Sequence, residues 1–255
     1  MRVAVCLAGA VSRVNAGHLA KKGEIYSNKN PYVNLECVQR GLQKHLVDVN
    51  PAASFDFFVH SWCQDLEAEL TALYHPLASL YEDNRLFERE IESRLGGNAF
   101  GYVSLTLSRC KVLRLVNEAQ HDYDVVIVCR PDVLLYSDMA LTSYDVDRHI
   151  YVNRSCVADA TIEAVRGSFH FVMSASVARQ FSTMFDVRPN IDARTFINKY
   201  MPVTLRADDI MCARDQEVVR KLHLGAIERM KYPLKKFEAY GVSAEYMQRL
   251  RHDGR

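Results

Sequence analysis

The chain has 255 residues, 49% hydrophobic and 25% charged, an ordinary globular composition that excludes a disordered chain. Lys and Arg total 32 against 31 for Asp and Glu, so no global field drives it toward nucleic acid or an anionic membrane. No apolar run approaches the ~18 residues of a spanning helix, and the seven cysteines lack any CxxC spacing, which argues against a disulfide framework or a zinc cluster.

Met1 to Val11 carries one Arg and a short apolar stretch. A buried strand over Val3 to Ala8 explains it better than a secretory signal. Residues 12–31 are polar and rich in Lys, Asn and Gly. They read as a long loop, a kind that is often functional in a compact domain. Asn34 to Val49 has helical spacing, with Leu35, Val38, Leu42, Leu46 and Val49 on one face and Asn50-Pro51 as the stop. Phe55 to His60 reads as a second strand, followed by Ser61-Trp62, and Leu66 to Tyr74 as a short helix. Ser79 to Glu82 suggests a short third strand. Val103 to Ala119 is an amphipathic helix on Val103, Leu107, Cys110, Leu113 and Val116.

Val125 to Cys129 is the clearest strand, β-branched and uncharged, and Pro131 halts it because it cannot donate to a central ladder. His149 to Asn153 and Phe169 to Ser174 are further strands, Ser176 to Phe185 a helix, and Asp208 to Leu222 a helix with acidic residues first and basic residues last. Strands alternate with helices over the first ~135 residues, which predicts a single α/β domain with a mainly parallel central sheet flanked by helices. The second half alternates less regularly and is expected to add mixed strands to the same sheet. Residues 231–255 form a basic, aromatic extension. It is either a solvated terminal helix or a peripheral contact with anionic lipid or a partner.

Ligands of parallel sheets bind outside the carboxyl ends of the strands. Three such exits stand out: Ala8-Gly9-Ala10, His60-Ser61-Trp62 and Arg130-Pro131-Asp132. The first lacks GxGxxG and GxxxxGK[ST], so dinucleotide and P-loop readings lose support. It is either a tight turn or a place where small residues admit a ligand to the backbone. At the third, an Arg able to neutralise phosphate leaves a buried strand beside an Asp able to hold a divalent metal or a sugar hydroxyl. The plainer reading is a structural ion pair. Trp62 offers either a stacking face for a sugar or base or a core residue. His60 is either a ligand contact or a satisfied strand-end histidine. His170 lies inside an apolar strand, as a metal ligand, a sugar contact or a core residue. Asp159 and Glu163 face an acceptor or solvent. Asp208-Asp209 after Arg206 suit a helix N-cap and first turn.

The segment Tyr123 to Leu135, with its Tyr-Asp, apolar run and Arg-Pro-Asp, resembles the corresponding strand of GT-A-like glycosyltransferases of bacterial surface-polysaccharide loci and large DNA viruses. The first strand with Ala8-Gly9-Ala10, the run Phe57 to Trp62, the Ser104-x3-Ser108 helix and Gly167 to Ser174 resemble that group in the same order. The likeness spans roughly residues 1–220. It implies a GT-A-like, Rossmann-like domain over residues 1–230, with a nucleotide-binding half (1–135) and an acceptor half (136–230). It also implies a nucleoside diphosphate sugar donor and a glycan or lipid-linked saccharide acceptor. Ala8, Gly9, Ala10, Arg13, Ser108, Arg130 and Asp132 would hold the donor, and His60, Trp62 and His170 the sugars. Asp132 would stand where such enzymes place the metal-binding Asp of a DxD motif. This chain has Arg130 two residues earlier, so a Mn or Mg requirement stays open. Asp209 or Asp208 would be the catalytic base of an inverting enzyme, with Asp132 also at the centre. The alternatives are a non-catalytic carbohydrate- or nucleotide-binding domain, or another nucleotide-dependent transferase. The reduced thiols and the lack of a spanning run make a cytoplasmic protein, peripheral to a membrane at most, the expectation.

Overall fold

The computed structural model of the chain describes residues 1–11, 35–93, 100–135, 137–153, 170–188, 190–191, 193–208 and 212–214. A seven-stranded sheet forms the centre. Its strands are β1 (Arg2–Ala8), β2 (Ser54–Ser61), β3 (Ala78–Tyr81), β4 (Val125–Cys129), β6 (His149–Asn153), β7 (His170–Met173) and β8 (Thr204–Asp208), in the order β3-β2-β1-β4-β7-β6-β8. All run parallel except β7, which is antiparallel to β4 and β6. β5 (Val133–Leu135) leaves this sheet and pairs with β9 (Cys212–Arg214) in a small antiparallel ribbon. Pro131 is the reason: without an amide hydrogen it cannot extend the β4 ladder, and the chain turns away.

The central strands β1 and β4 are apolar on both faces because the sheet is covered on both. Val3, Val5 and Leu7 face one core with Leu35, Leu42, Leu46 and Leu70, while Ala4, Cys6 and Ala8 face another with Val103, Leu107, Cys110 and Phe181. β4 alternates the same way, Val125, Ile127 and Cys129 on one side and Val126 and Val128 on the other. This is the pattern of a parallel sheet buried between helical layers. The first layer holds α1 (Leu35–Leu42) and α2 (Glu67–Tyr74). The second holds α4 (Phe100–Glu118), α5 (Ala175–Ser182) and the shorter α6 (Met184–Val187) and α7 (Ala193–Tyr200). α3 (Glu88–Ser93) lies in the chain between β3 and α4.

The expected helix over 34–49 is an α-helix to Leu42 and then a π-helical turn over Gln43–Val47. Asn50 does more than stop it. Its Nδ2 donates to the Leu46 and Met139 carbonyls at 2.6 and 2.8 Å, and its Oδ1 accepts from the Leu141 amide at 2.8 Å. The helix expected over 208–222 is a misreading at its start: Thr204–Asp208 is strand β8, parallel to β6, and Cys212–Arg214 is strand β9. The helix expected over 176–185 is broken at Thr183 into α5 and α6. Five cysteines (Cys6, Cys37, Cys63, Cys110 and Cys129) are buried thiols. Among the described residues no helix is long and apolar enough to cross a membrane. Residues 231–255 lie outside the described residues.

Candidate functional site

From β1 the sheet steps one way to β2 and β3, while β4 lies on its other side. The carboxyl ends of β1 and β4 therefore flank a topological switch point, the place where open α/β sheets leave a crevice for ligands. β1 ends there in Ala8 and Gly9. Gly9 has φ +112°, a backbone region that L side chains rarely adopt, and an added Cβ would come 3.0 Å from the Leu105 side chain of α4. Its amide donates to the His60 carbonyl at 3.1 Å, which ties the β1 exit to the β2 exit. The glycine is thus required by both conformation and space.

β4 delivers Arg130 and Asp132 to the same crevice. Arg130 Nε donates to Asp132 Oδ1 and its terminal nitrogen to Oδ2, both at 2.7 Å. The same terminal nitrogen lies 3.3 Å from the Ala10 carbonyl, so it bridges the exits of β4 and β1. The Asp132 side chain is fully buried and the Arg130 side chain 13% exposed, so Arg130 is the member of the pair that solvent reaches. Two charge-assisted bonds in one plane fix that guanidinium's orientation.

Behind them lies a second cation. Arg109 of α4 is buried with its guanidinium carbon 4.6 Å from the Phe171 ring centroid. Burial pulls its pKa down to about 10, Tyr102 opposes this, and the charge of Arg130 adds to the lowering. It remains a cation at neutral pH and reinforces positive potential at the β4 exit. His170 stands at the same end, because β7 runs antiparallel and pairs His170 with Cys129.

The β2 exit is a closed polar relay. His60 Nδ1 lies 2.6 Å from Ser108 Oγ, and His60 Nε2 lies 2.9 Å from Glu82 Oε2. Lys111 donates to the same Glu82 oxygen at 2.7 Å. Burial pushes the Glu82 carboxyl up, but hydrogen bonds from His60 and Lys111 and the Lys111 charge hold it below its ordinary value. As a carboxylate it only accepts, so Nε2 carries the imidazole proton and Nδ1 accepts from the Ser108 hydroxyl. Burial lowers the His60 pKa despite Glu82, which favours this neutral form. Trp62 is buried beside it, rings 4.6 Å apart, and donates to the Ser104 carbonyl at 3.1 Å. His60 and Trp62 thus brace α4 against the sheet and do not offer open faces to a sugar. Ser108, foreseen at the donor site, belongs to this brace.

The foreseen residues divide clearly. Ala8, Gly9, Ala10, Arg130, Asp132 and His170 meet at one sheet edge. Asp208 ends β8 in register with Asn153 at the end of β6, so its backbone is on that edge too, three strand spacings from β4, or roughly 14 Å. Its expected place at a helix start is replaced by this strand exit. Arg13, Asp159, Glu163 and Asp209 lie outside the described residues. Sequence reasoning missed Arg109, Glu82 and Lys111. Their available signal was position: Glu82 directly follows β3, and Lys111 lies one helical turn from Ser108.

Asp132 was the candidate ligand for a divalent cation, with the metal requirement left open. Both Asp132 oxygens accept from Arg130, and among the described residues no group of three or more His, Cys, Asp or Glu could hold a metal ion. The described residues at this exit do not by themselves fit a metal.

No protein-family model matches the chain, and no curated protein matches it. Solved structures do. A Bacillus anthracis protein assigned as a glucose-1-phosphate thymidylyltransferase, solved with sucrose, aligns over 93% of this chain and 99% of its own, with 12% identity and a TM-score of 0.45. Mouse xyloside xylosyltransferase 1 aligns over 82% of this chain and 86% of its own, with 10% identity and a TM-score of 0.42. A glycosyltransferase involved in glycosylation of the major capsid of PBCV-1 aligns over 82% of this chain and 81% of its own, with 7% identity and a TM-score of 0.36.

Proposed function

We propose that the chain is a glycosyltransferase that moves a sugar from a nucleoside diphosphate sugar to a glycan or lipid-linked saccharide. The observation that carries this reading is Arg130, a partly exposed side chain whose guanidinium is fixed by Asp132 and reaches the Ala10 carbonyl across the β1–β4 switch point. The order of motifs from Ala8 to Ser174, similar to that of GT-A-like glycosyltransferases, supports it.

In this reading the diphosphate lies over Gly9 and Ala10, where small residues allow close approach. Transfer breaks the bond between the anomeric carbon and the diphosphate oxygen, and the electron pair leaves with the diphosphate. Charge therefore grows on the leaving group, and a cation already fixed at that place lowers the barrier. Arg130 supplies it, with Arg109 behind it. The acceptor hydroxyl attacks the anomeric carbon and gives its proton to a carboxylate, assigned to Asp208 or Asp209 for an inverting reaction. His170 lines the β4 side of the crevice.

The test is donor hydrolysis and transfer over a panel of sugar nucleotides. The expected result is turnover of one or a few donors, with loss on Arg130→Ala of roughly 100-fold or more in kcat/KM, the scale of removing one preorganised donor at a developing charge. A folded protein that binds and turns over none of the panel overturns the proposal.

A further inference from the structure

A hard divalent cation is bound through several oxygen ligands. At the β4 exit the carboxylate of Asp132 is already engaged: Asp132 is fully buried, and each of its oxygens accepts from Arg130 at 2.7 Å. The solvent-reached member of this pair is Arg130. Arg109, buried against Phe171, adds a second positive charge close enough to Arg130 for each to bear on the other. Among the described residues, a metal ion placed here would meet the two cations Arg130 and Arg109 and the carboxylate of Asp132, whose oxygens are both bonded. A phosphate would meet the reverse: a guanidinium charge held in a fixed orientation within a positive field.

We propose that Arg130 stands in for a divalent cation and binds a diphosphate directly, while Asp132 is a positioning residue that holds the guanidinium plane against the Ala10 carbonyl. The proposal deepens the glycosyltransferase reading and rests on it for the donor's identity. Capture of diphosphate is a separate and separately measurable property. Asp132 acts through Arg130 and touches no ligand. The geometry requires the Arg fork itself: a Lys at 130 keeps the charge but cannot bond both Asp132 oxygens in one plane.

Titration calorimetry with inorganic pyrophosphate, run in EDTA and again with added MnCl2, tests this on the intact chain. Wild type is expected to bind in EDTA, with affinity that does not rise when Mn is added. Arg130→Ala is expected to weaken binding about 10- to 100-fold, the worth of charge-assisted bonds. Arg130→Lys is expected to fall between. Asp132→Asn is expected to weaken binding alone and to add nothing on the Arg130→Ala background, since its effect passes through the lost guanidinium. A merely structural Asp132 would add its loss to that of Arg130→Ala, and this outcome overturns its positioning role. Wild-type binding that appears only with Mn, or no pyrophosphate binding at all, overturns the proposal as a whole. The wild-type comparison requires no variant to fold. The two readings also fail separately. Metal-free pyrophosphate binding without turnover of any sugar nucleotide keeps the subsite and removes the transferase. Turnover that requires metal does the opposite.

Discussion

His60 shows how a buried polar residue can be part of a site without facing its ligand. It is fully buried, it bonds Ser108 and Glu82, and its carbonyl accepts the Gly9 amide. The relay thus reaches the β1–β4 crevice through the backbone of Gly9. Burial lowers the His60 pKa from 6.5, while hydrogen bonds from His60 and Lys111 hold Glu82 below 4.5 against the opposing effect of burial. For both groups the unfolded chain binds protons more readily than the folded one, so folding stability falls as pH falls. The His60 contribution is present above about 6.5 and is lost as pH drops through its lowered folded value. The Glu82 contribution is lost in a second stage below about 4.5. Denaturant midpoints measured from pH 8 to pH 3 should show both stages. His60→Gln should remove the first stage relative to wild type. Equal acid slopes for the two proteins between pH 7 and 5 would contradict the assignment.

At the level of elements, the seam between the end of α1 and residues 138–141 is the most explicit polar joint away from the crevice. Asn50 makes three bonds across it, and His45 Nδ1 lies 2.6 Å from Asp138 Oδ1. The π-turn widens the helix end, and Leu46 stays in the core while Asn50 reaches the far strand's continuation. Asn50→Ala would leave two carbonyls and one amide without this partner. It should cost about 2–4 kcal/mol, summing net hydrogen-bond terms and the penalty for groups left unpaired. A denaturation midpoint within error of wild type would rule this out. Asn50-Pro51 was legible in the sequence as a stop, but the bridge was not, because its partners lie about ninety positions away. β8 was misread for a related reason. Thr-Leu-Arg-Ala-Asp carries little strand propensity of its own, and acidic residues at 208–209 suit a helix start equally well. The strand exists because β6 supplies five residues of parallel pairing along it, a case of tertiary context overriding local propensity.

For the whole molecule, the mainly parallel sheet followed from the first ~135 residues, because a strand covered on both faces must be apolar throughout, and β1 and β4 are. Three strand exits were named from sequence, and two of them meet at the β1–β4 switch point, where Arg130 reaches the Ala10 carbonyl. The third, His60-Ser61-Trp62, forms the wall behind them. Arg109 was invisible to periodicity because α4 is buried on more than one side, between the sheet and α5, so an apparently ordinary helical Arg is an interior cation. Sequence could place charge beside a strand exit. Only the fold shows that Asp132 turns inward to hold Arg130, leaving Arg130 as the member of the pair that solvent reaches. The central claim is that this crevice binds the diphosphate of a sugar nucleotide. It is tested most directly by a crystal structure with the nucleoside diphosphate released from the best donor of the panel. The account predicts the diphosphate over Gly9 and Ala10, bonded to Arg130. A nucleoside diphosphate bound at another edge of the sheet, with Arg130 still held by Asp132 and touching no phosphate, would contradict it.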